Sequence, residues 1–149
     1  MLLELFNEQT VKIHQSVKDW IEAGHVAGDL LVKENIVEPK FIDAMIESVK
    51  KFGPYIVLTE GVALFHARPN EGVIKMGMSL VVLKEGVSFN VPDKDPVYLI
   101  FVLAPENNES HLAALADFAK ILEDSEAINK IKNAQNYDEI MDVVKSKLQ

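Results

Sequence analysis

The sequence of 149 residues contains no cysteine. That absence excludes disulfides, thiolate nucleophiles and every Cys-based zinc or iron–sulfur centre. Basic residues are scarce as well: 15 Lys and Arg stand against 23 Asp and Glu, for a net charge of -8. No basic run exceeds the pair Lys50–Lys51, so nucleic acid and anionic membrane are poor candidates as partners. Nor does any apolar run approach the ~18 residues of a membrane span, and direct membrane insertion is not expected. The opening MLLELFNEQT carries acids before any base, unlike a signal or transit peptide, which makes the cytoplasm the default expectation. Linkers, repeats and low-complexity stretches are missing too. What is present is a hydrophobic fraction of 48%, enough for a single domain spanning 1–149 with a core that needs no staples.

Periodicity divides the chain into a helical block, a strand-rich middle and a helical tail. Val11 to Val17 alternates Val11, Ile13 and Gln15 against Lys12, His14 and Ser16, the signature of a short strand. From Asp19 the spacing turns helical, through Trp20, Ala23, Gly24, Ala27, Leu30 and Leu31. Gly24 and Gly28 weaken this helix intrinsically, so packing must hold it. A second helix starts at Pro39, gathers Phe41, Ile42, Met45, Ile46 and Val49 on one face, and stops at Phe52-Gly53-Pro54. Tyr55 to Leu58, Val62 to His66, Met78 to Leu83 and Val97 to Leu103 are rich in β-branched and aromatic residues and read as strands. The last lacks polar alternation, as a central strand covered on both faces would. Helices resume near Asn108, where Leu112, Leu115, Ala116, Ala119 and Leu122 form the expected apolar stripe. A short helix at Ser125 to Asn133 and an amphipathic tail from Tyr137 to Leu148 follow. The expectation is an α/β domain whose sheet of four or five strands lies between helical layers.

Without cysteine, chemistry falls to four histidines, carboxylates and hydroxyls. His14 and His25 have no partner at metal-ligand spacing, and no H-x-x-x-H occurs, so no metal is expected. His66, in EGVALFHARP, ends a strand just before a turn, where a rigid sheet presents side chains to a partner. Arg68 follows two residues later, with paired donors suited to a phosphoryl oxygen. A half-buried histidine beside a surface arginine accounts for that spacing equally well. His111 falls in the first turn of a helix, where free backbone N–H groups favour anions and disfavour an imidazolium. By position alone, a plain first-turn residue, with Asn108 or Ser110 as the cap, is the simpler reading. Asp93, Lys94 and Asp95 read as a solvated connection.

The segment GPYIVLTEGVALFHARPNEGVIKMGMSLVVLKEGVSF, Gly53 to Phe89, resembles the enzyme IIA domain of the mannitol/fructose family of the phosphoenolpyruvate-dependent sugar phosphotransferase system. The ascorbate-type branch, which typically reads P-Y-I-V…P-G-I-A-L-P-H-A-R-P, is the nearest match. The resemblance takes in the preceding helix pair and the later E-x-x-x-H-L. It implies a mixed parallel/antiparallel central sheet of about five strands sandwiched between helices. It also implies that His66 is transiently phosphorylated, through Nε2, and that His111 is the second active-site histidine. There are departures. Phe65 stands where the family has Pro, and it becomes the expected apolar contributor to the rim of the site. Lys50 or Lys51 falls where mannitol-type relatives carry Arg. Glu60 replaces a Pro and is expected to bring negative charge near the site.

The resemblance further implies the partners. His66 would take the phosphoryl group from the histidine phosphocarrier protein and pass it to a cysteine of the cognate enzyme IIB, serving a membrane enzyme IIC indirectly. The cargo would be a sugar, with ascorbate as one option, and homodimerisation is left open. No cofactor is called for, because the energy arrives as phosphohistidine. His111, Arg68 and the helix start beside Ser110 would steady the transferring group. A regulatory enzyme IIA-like module, acting by phosphorylation-dependent protein binding, is the alternative.

Overall fold

A sheet of five strands in the order β1-β4-β5-β3-β2 forms the middle layer of the computed structural model, which describes residues 2–148. The strands are β1 (Val11–Gln15), β2 (Val57–Thr59), β3 (Val62–His66), β4 (Gly77–Val87) and β5 (Val97–Ala104). The helices are α1 (Trp20–Lys33), α2 (Pro39–Phe52), α3 (Asn108–Leu122), α4 (Ser125–Lys132) and α5 (Tyr137–Leu148). β1 runs parallel to β4 and β3 parallel to β5, whereas the β4–β5 and β2–β3 pairs are antiparallel. The sheet is therefore mixed, with helices on either side, as expected. The unalternating run at Val97 is indeed central, and it is buried along almost its whole length.

Two separate cores explain the layering. On one face α1 and α2 bury Ala23, Leu31, Phe41 and Met45 against Phe65, Val81 and Ile100. On the other, Ala114, Phe118, Ile131 and Ile140 cover Leu64, Leu80 and Phe101. Alternate residues of each central strand thus feed opposite cores, which is the period of two at work. Local signals set the ends. The Asp19 side chain accepts from the Glu22 amide and caps α1, Pro39 opens α2, and Gly53 closes it at a φ of 89°, a conformation that favours glycine.

Several boundaries and faces differ from the sequence expectation. The first strand ends at Gln15 rather than Val17, since His14 takes a φ of 56° and the pairing with β4 shifts register there. β2 covers Val57–Thr59, which leaves Tyr55 in the turn before it. On α3 the buried residues are Ala114, Phe118 and Ile121; of the expected stripe Leu115 and Leu122 are half-buried against the same core, whereas Ala116 and Ala119 are exposed and Leu112 is 66% exposed. The helix is apolar nearly all round, so periodicity admits more than one face. The aromatic contact of Phe118 with Phe101, 4.7 Å between centroids at 75°, is part of the packing that selects one. The connection holding Asp95 is more ordered than a solvated loop: its carboxylate accepts from the Phe89 and Val91 amides and the Ser88 hydroxyl.

Candidate active site

The C-terminal end of β3 delivers His66 to the surface beside the start of α3. Parallel pairing aligns His66 with Leu103 on β5, and after Pro105 the chain turns directly into α3. Two histidines far apart in sequence become neighbours. Their ring centroids lie 5.5 Å apart, with planes inclined by 60°. Nδ1 of His66 donates to the Leu64 carbonyl at 3.3 Å, which leaves Nε2 with the free lone pair. The ring also meets Tyr55 in an edge-to-face contact, 5.8 Å between centroids at 85°.

Burial lowers the His66 pKa below its usual 6.5, and the bond to Leu64 opposes that shift only partly. The His111 pKa is lowered by burial as well and, secondarily, by repulsion from His66. Both directions favour neutral imidazoles at neutral pH. The start of α3 adds a further electropositive element. Asn107 caps it, its side chain accepting from the Ser110 amide at 2.8 Å while the Asn107 amide donates to the Ser110 hydroxyl at 3.2 Å. Neither Asn108 nor Ser110 is the cap residue.

An open depression of about 580 Å³ surrounds this pair. Arg68, Lys51 and Asn108 line it with the histidines, and so do Phe52, Tyr55 and Glu71. Arg68 is exposed. Of the two lysines, it is Lys51 that reaches the site, whereas Lys50 pairs on the surface with Glu47 at 3.6 Å. Three expectations need correction. Phe65 is 0% exposed, packed against Phe89 in the α1–α2 core, and cannot form the rim; β3 is buried on both faces, so the residue before His66 points inward. The apolar rim is made by Phe52, 67% exposed, and by Tyr55, residues that the sequence pattern placed at a helix stop and a strand start and not at the site. The Ser110 hydroxyl is engaged in the capping box, not aimed into the depression. Glu60 lies in the β2–β3 turn, at the opposite end of β3, a strand whose Val62–His66 length is roughly 13 Å by strand rise. It lines a different depression there, of about 730 Å³, which holds no histidine. His14 and His25 are exposed and apart from the site. Among the described residues no group of three His, Asp or Glu is placed to hold a metal ion, and no helix is long and apolar enough to cross a membrane.

Comparison with known proteins gives a consistent answer. Residues 4–147 match the family described as phosphoenolpyruvate-dependent sugar phosphotransferase system, EIIA 2. The ascorbate-specific PTS system EIIA component of Escherichia coli K12 is 33% identical over 141 residues, 94% of this chain and 92% of its own. The solution structure of the mannitol-specific cryptic phosphotransferase enzyme IIA from Escherichia coli superposes with a TM-score of 0.87 at 31% identity, covering 98% of this chain and 99% of that one. The crystal structure of IIA mannitol from the same organism gives 0.82 at 26% identity, covering 93% and 98%.

Proposed function

The chain belongs to the phosphoenolpyruvate-dependent sugar phosphotransferase system EIIA 2 family, whose EIIA components are phosphotransferases with phosphohistidine intermediates, and on that footing we propose that His66 carries the phosphoryl group. The observation that supports this most directly is the pairing of an Nδ1-anchored His66 with the His111 ring 5.5 Å away. A neutral imidazole whose Nδ1 proton faces a carbonyl has its Nε2 electron pair free for attack.

In the first half-reaction, Nε2 attacks the phosphorus of the phosphorylated histidine phosphocarrier. The new N–P bond forms as the donor's N–P bond breaks, and the donor imidazole leaves with that electron pair. The Nδ1 proton stays against the Leu64 carbonyl, so phosphorylated His66 is cationic at the ring and a good leaving group. In the second half-reaction a cysteine thiolate of enzyme IIB attacks the same phosphorus, and His66 recovers its electron pair. His111, Arg68 and the free N–H groups of the first turn of α3 hold the phosphoryl oxygens. Lys51 adds charge at the edge of the depression. Ascorbate uptake, through a membrane enzyme IIC that this chain need not touch, is the cargo the name of the Escherichia coli relative supports, and the cytoplasm is where these partners meet.

The test is direct. Incubation with phosphoenolpyruvate, enzyme I and the phosphocarrier should add one acid-labile phosphate, which His66→Ala abolishes. Normal labelling of that variant would overturn the assignment.

A further inference from the structure

Resting on the phosphoryl-carrier reading above, we infer that Tyr55, braced by Ser48, is a positioning residue that sets the orientation and tautomer of the His66 imidazole. Two contacts carry this. The Tyr55 ring meets the His66 ring edge-on at 5.8 Å and 85°, and the Tyr55 hydroxyl shares a 2.8 Å hydrogen bond with the Ser48 hydroxyl. Ser48 belongs to α2, so a helix reaches the reacting imidazole through one side chain.

Besides Tyr55, the imidazole has the His111 ring beside it at 5.5 Å and one hydrogen bond, and that bond is weak. Its bond from Nδ1 to the Leu64 carbonyl is 3.3 Å long, beyond the usual range for N–H···O. Rotation about the bond joining the ring to Cβ is intrinsically soft. Rotation there would break the Nδ1 bond and turn Nε2 away from an in-line approach, for which alignment within roughly 10–20° matters. The Tyr55 ring, in edge-to-face contact with the imidazole, opposes that rotation. The backbone beneath Tyr55 is itself restrained: its amide donates to the Gly53 carbonyl at 2.9 Å, and Pro54 precedes it. With the hydroxyl tied to Ser48, a tyrosine that is 45% exposed stays against the histidine rather than turning to solvent.

Full-length protein labelled with nitrogen-15 at histidine reports the tautomer by long-range proton–nitrogen correlation. Rapid-quench single turnovers with the phosphorylated phosphocarrier report transfer. The parent should show the Nδ1–H tautomer of His66. Tyr55→Ala should mix the tautomers and lower the saturated rate constant about tenfold, with apparent donor affinity changed by less than about threefold. Tyr55→Phe and Ser48→Ala remove the same hydrogen bond, so each should slow transfer about two- to threefold and the double variant no further. A parent-like tautomer and rate in Tyr55→Ala would overturn the inference. So would a loss confined to donor affinity, which would make Tyr55 a docking residue. Should Tyr55→Ala fail to fold, the Tyr55→Phe and Ser48→Ala pair decides, and parent-like rates in both reject the bracing role. Absence of phosphate on His66 in the parent defeats the carrier reading instead, while the tautomer measurement still judges Tyr55.

Discussion

At His66, burial and hydrogen bonding pull in opposite directions, and burial wins: the folded pKa lies below 6.5. The same sign holds at His111. For both residues the unfolded chain binds protons more readily than the folded one, so stability is fully present above about pH 6.5 and declines as pH falls through the folded values. A thermal denaturation series from about pH 7.5 to about pH 5.5, above the range where carboxylates titrate, should show Tm falling on the acid side. His66→Gln should flatten that slope, and an unchanged slope would count against burial as the cause. His111 makes a second prediction. Losing one preorganised donor to a transferring group costs about 3 kcal/mol, roughly a hundredfold in rate. His111→Ala should therefore keep its fold and still accept phosphate slowly, but pass it on about a hundredfold more slowly than the parent. The 5.5 Å separation of the rings is close enough for one phosphoryl group to engage both.

Among the elements, α1 shows why two glycines survive in a helix they weaken. A Cβ on Gly24 would stand 2.7 Å from Ile46 Cδ1 and 3.1 Å from Phe65 Cζ, and one on Gly28 would stand 2.7 Å from Ile42 Cγ1. The glycines let α1 approach α2 and the underside of β3, a packing gain that offsets their poor helix propensity. Phe65, in the place where the resembled family carries Pro, is locked beneath His66 by this contact. Gly24→Ala should overpack the site and cost about 1–3 kcal/mol, read as a lower urea midpoint at unchanged slope. Because the crowding falls on the residue before His66, phosphoryl acceptance by the folded fraction should slow as well. A neutral Gly24→Ala would show that Ile46 and Phe65 can move aside at little cost.

Considered as a whole, the molecule has a core on each face of the sheet, while the candidate site lies at the end of one strand, next to the start of a helix. Most large apolar side chains are buried, so Phe52, 67% exposed beside the histidine pair, stands out. A partner that must exclude water from the transferring group has an apolar edge to meet there, with Lys51 and Arg68 close by in an otherwise acidic protein. Phe52→Ala should leave Tm nearly unchanged, because the ring is 67% exposed and such surface changes usually stay within about 0.5 kcal/mol. It should raise the KM for the phosphocarrier or for enzyme IIB by roughly tenfold, as loss of an aromatic anchor does. An unaltered KM for both would place docking elsewhere.

Sequence alone determined the features that rest on local chemistry. The bounds of β3 and α2 follow from β-branched runs, Pro39 and Gly53, and His66 at a strand end was legible from the turn after it. Motif resemblance added His111. What only the tertiary structure decided is which way each side chain faces where the pattern is uniform. β3 is buried on both faces, so nothing in VALFH reveals that Phe65 points to the α1–α2 core; α3 is apolar nearly all round, so the sheet, not the stripe, chose Ala114, Phe118 and Ile121. The approach of His111 to His66 depends on β3 and β5 pairing in parallel, and the Tyr55–Ser48 brace on the path of one turn after Gly53. Those are long-range or three-dimensional facts. Periodicity records how often a residue is buried, and it carries no record of what buries it.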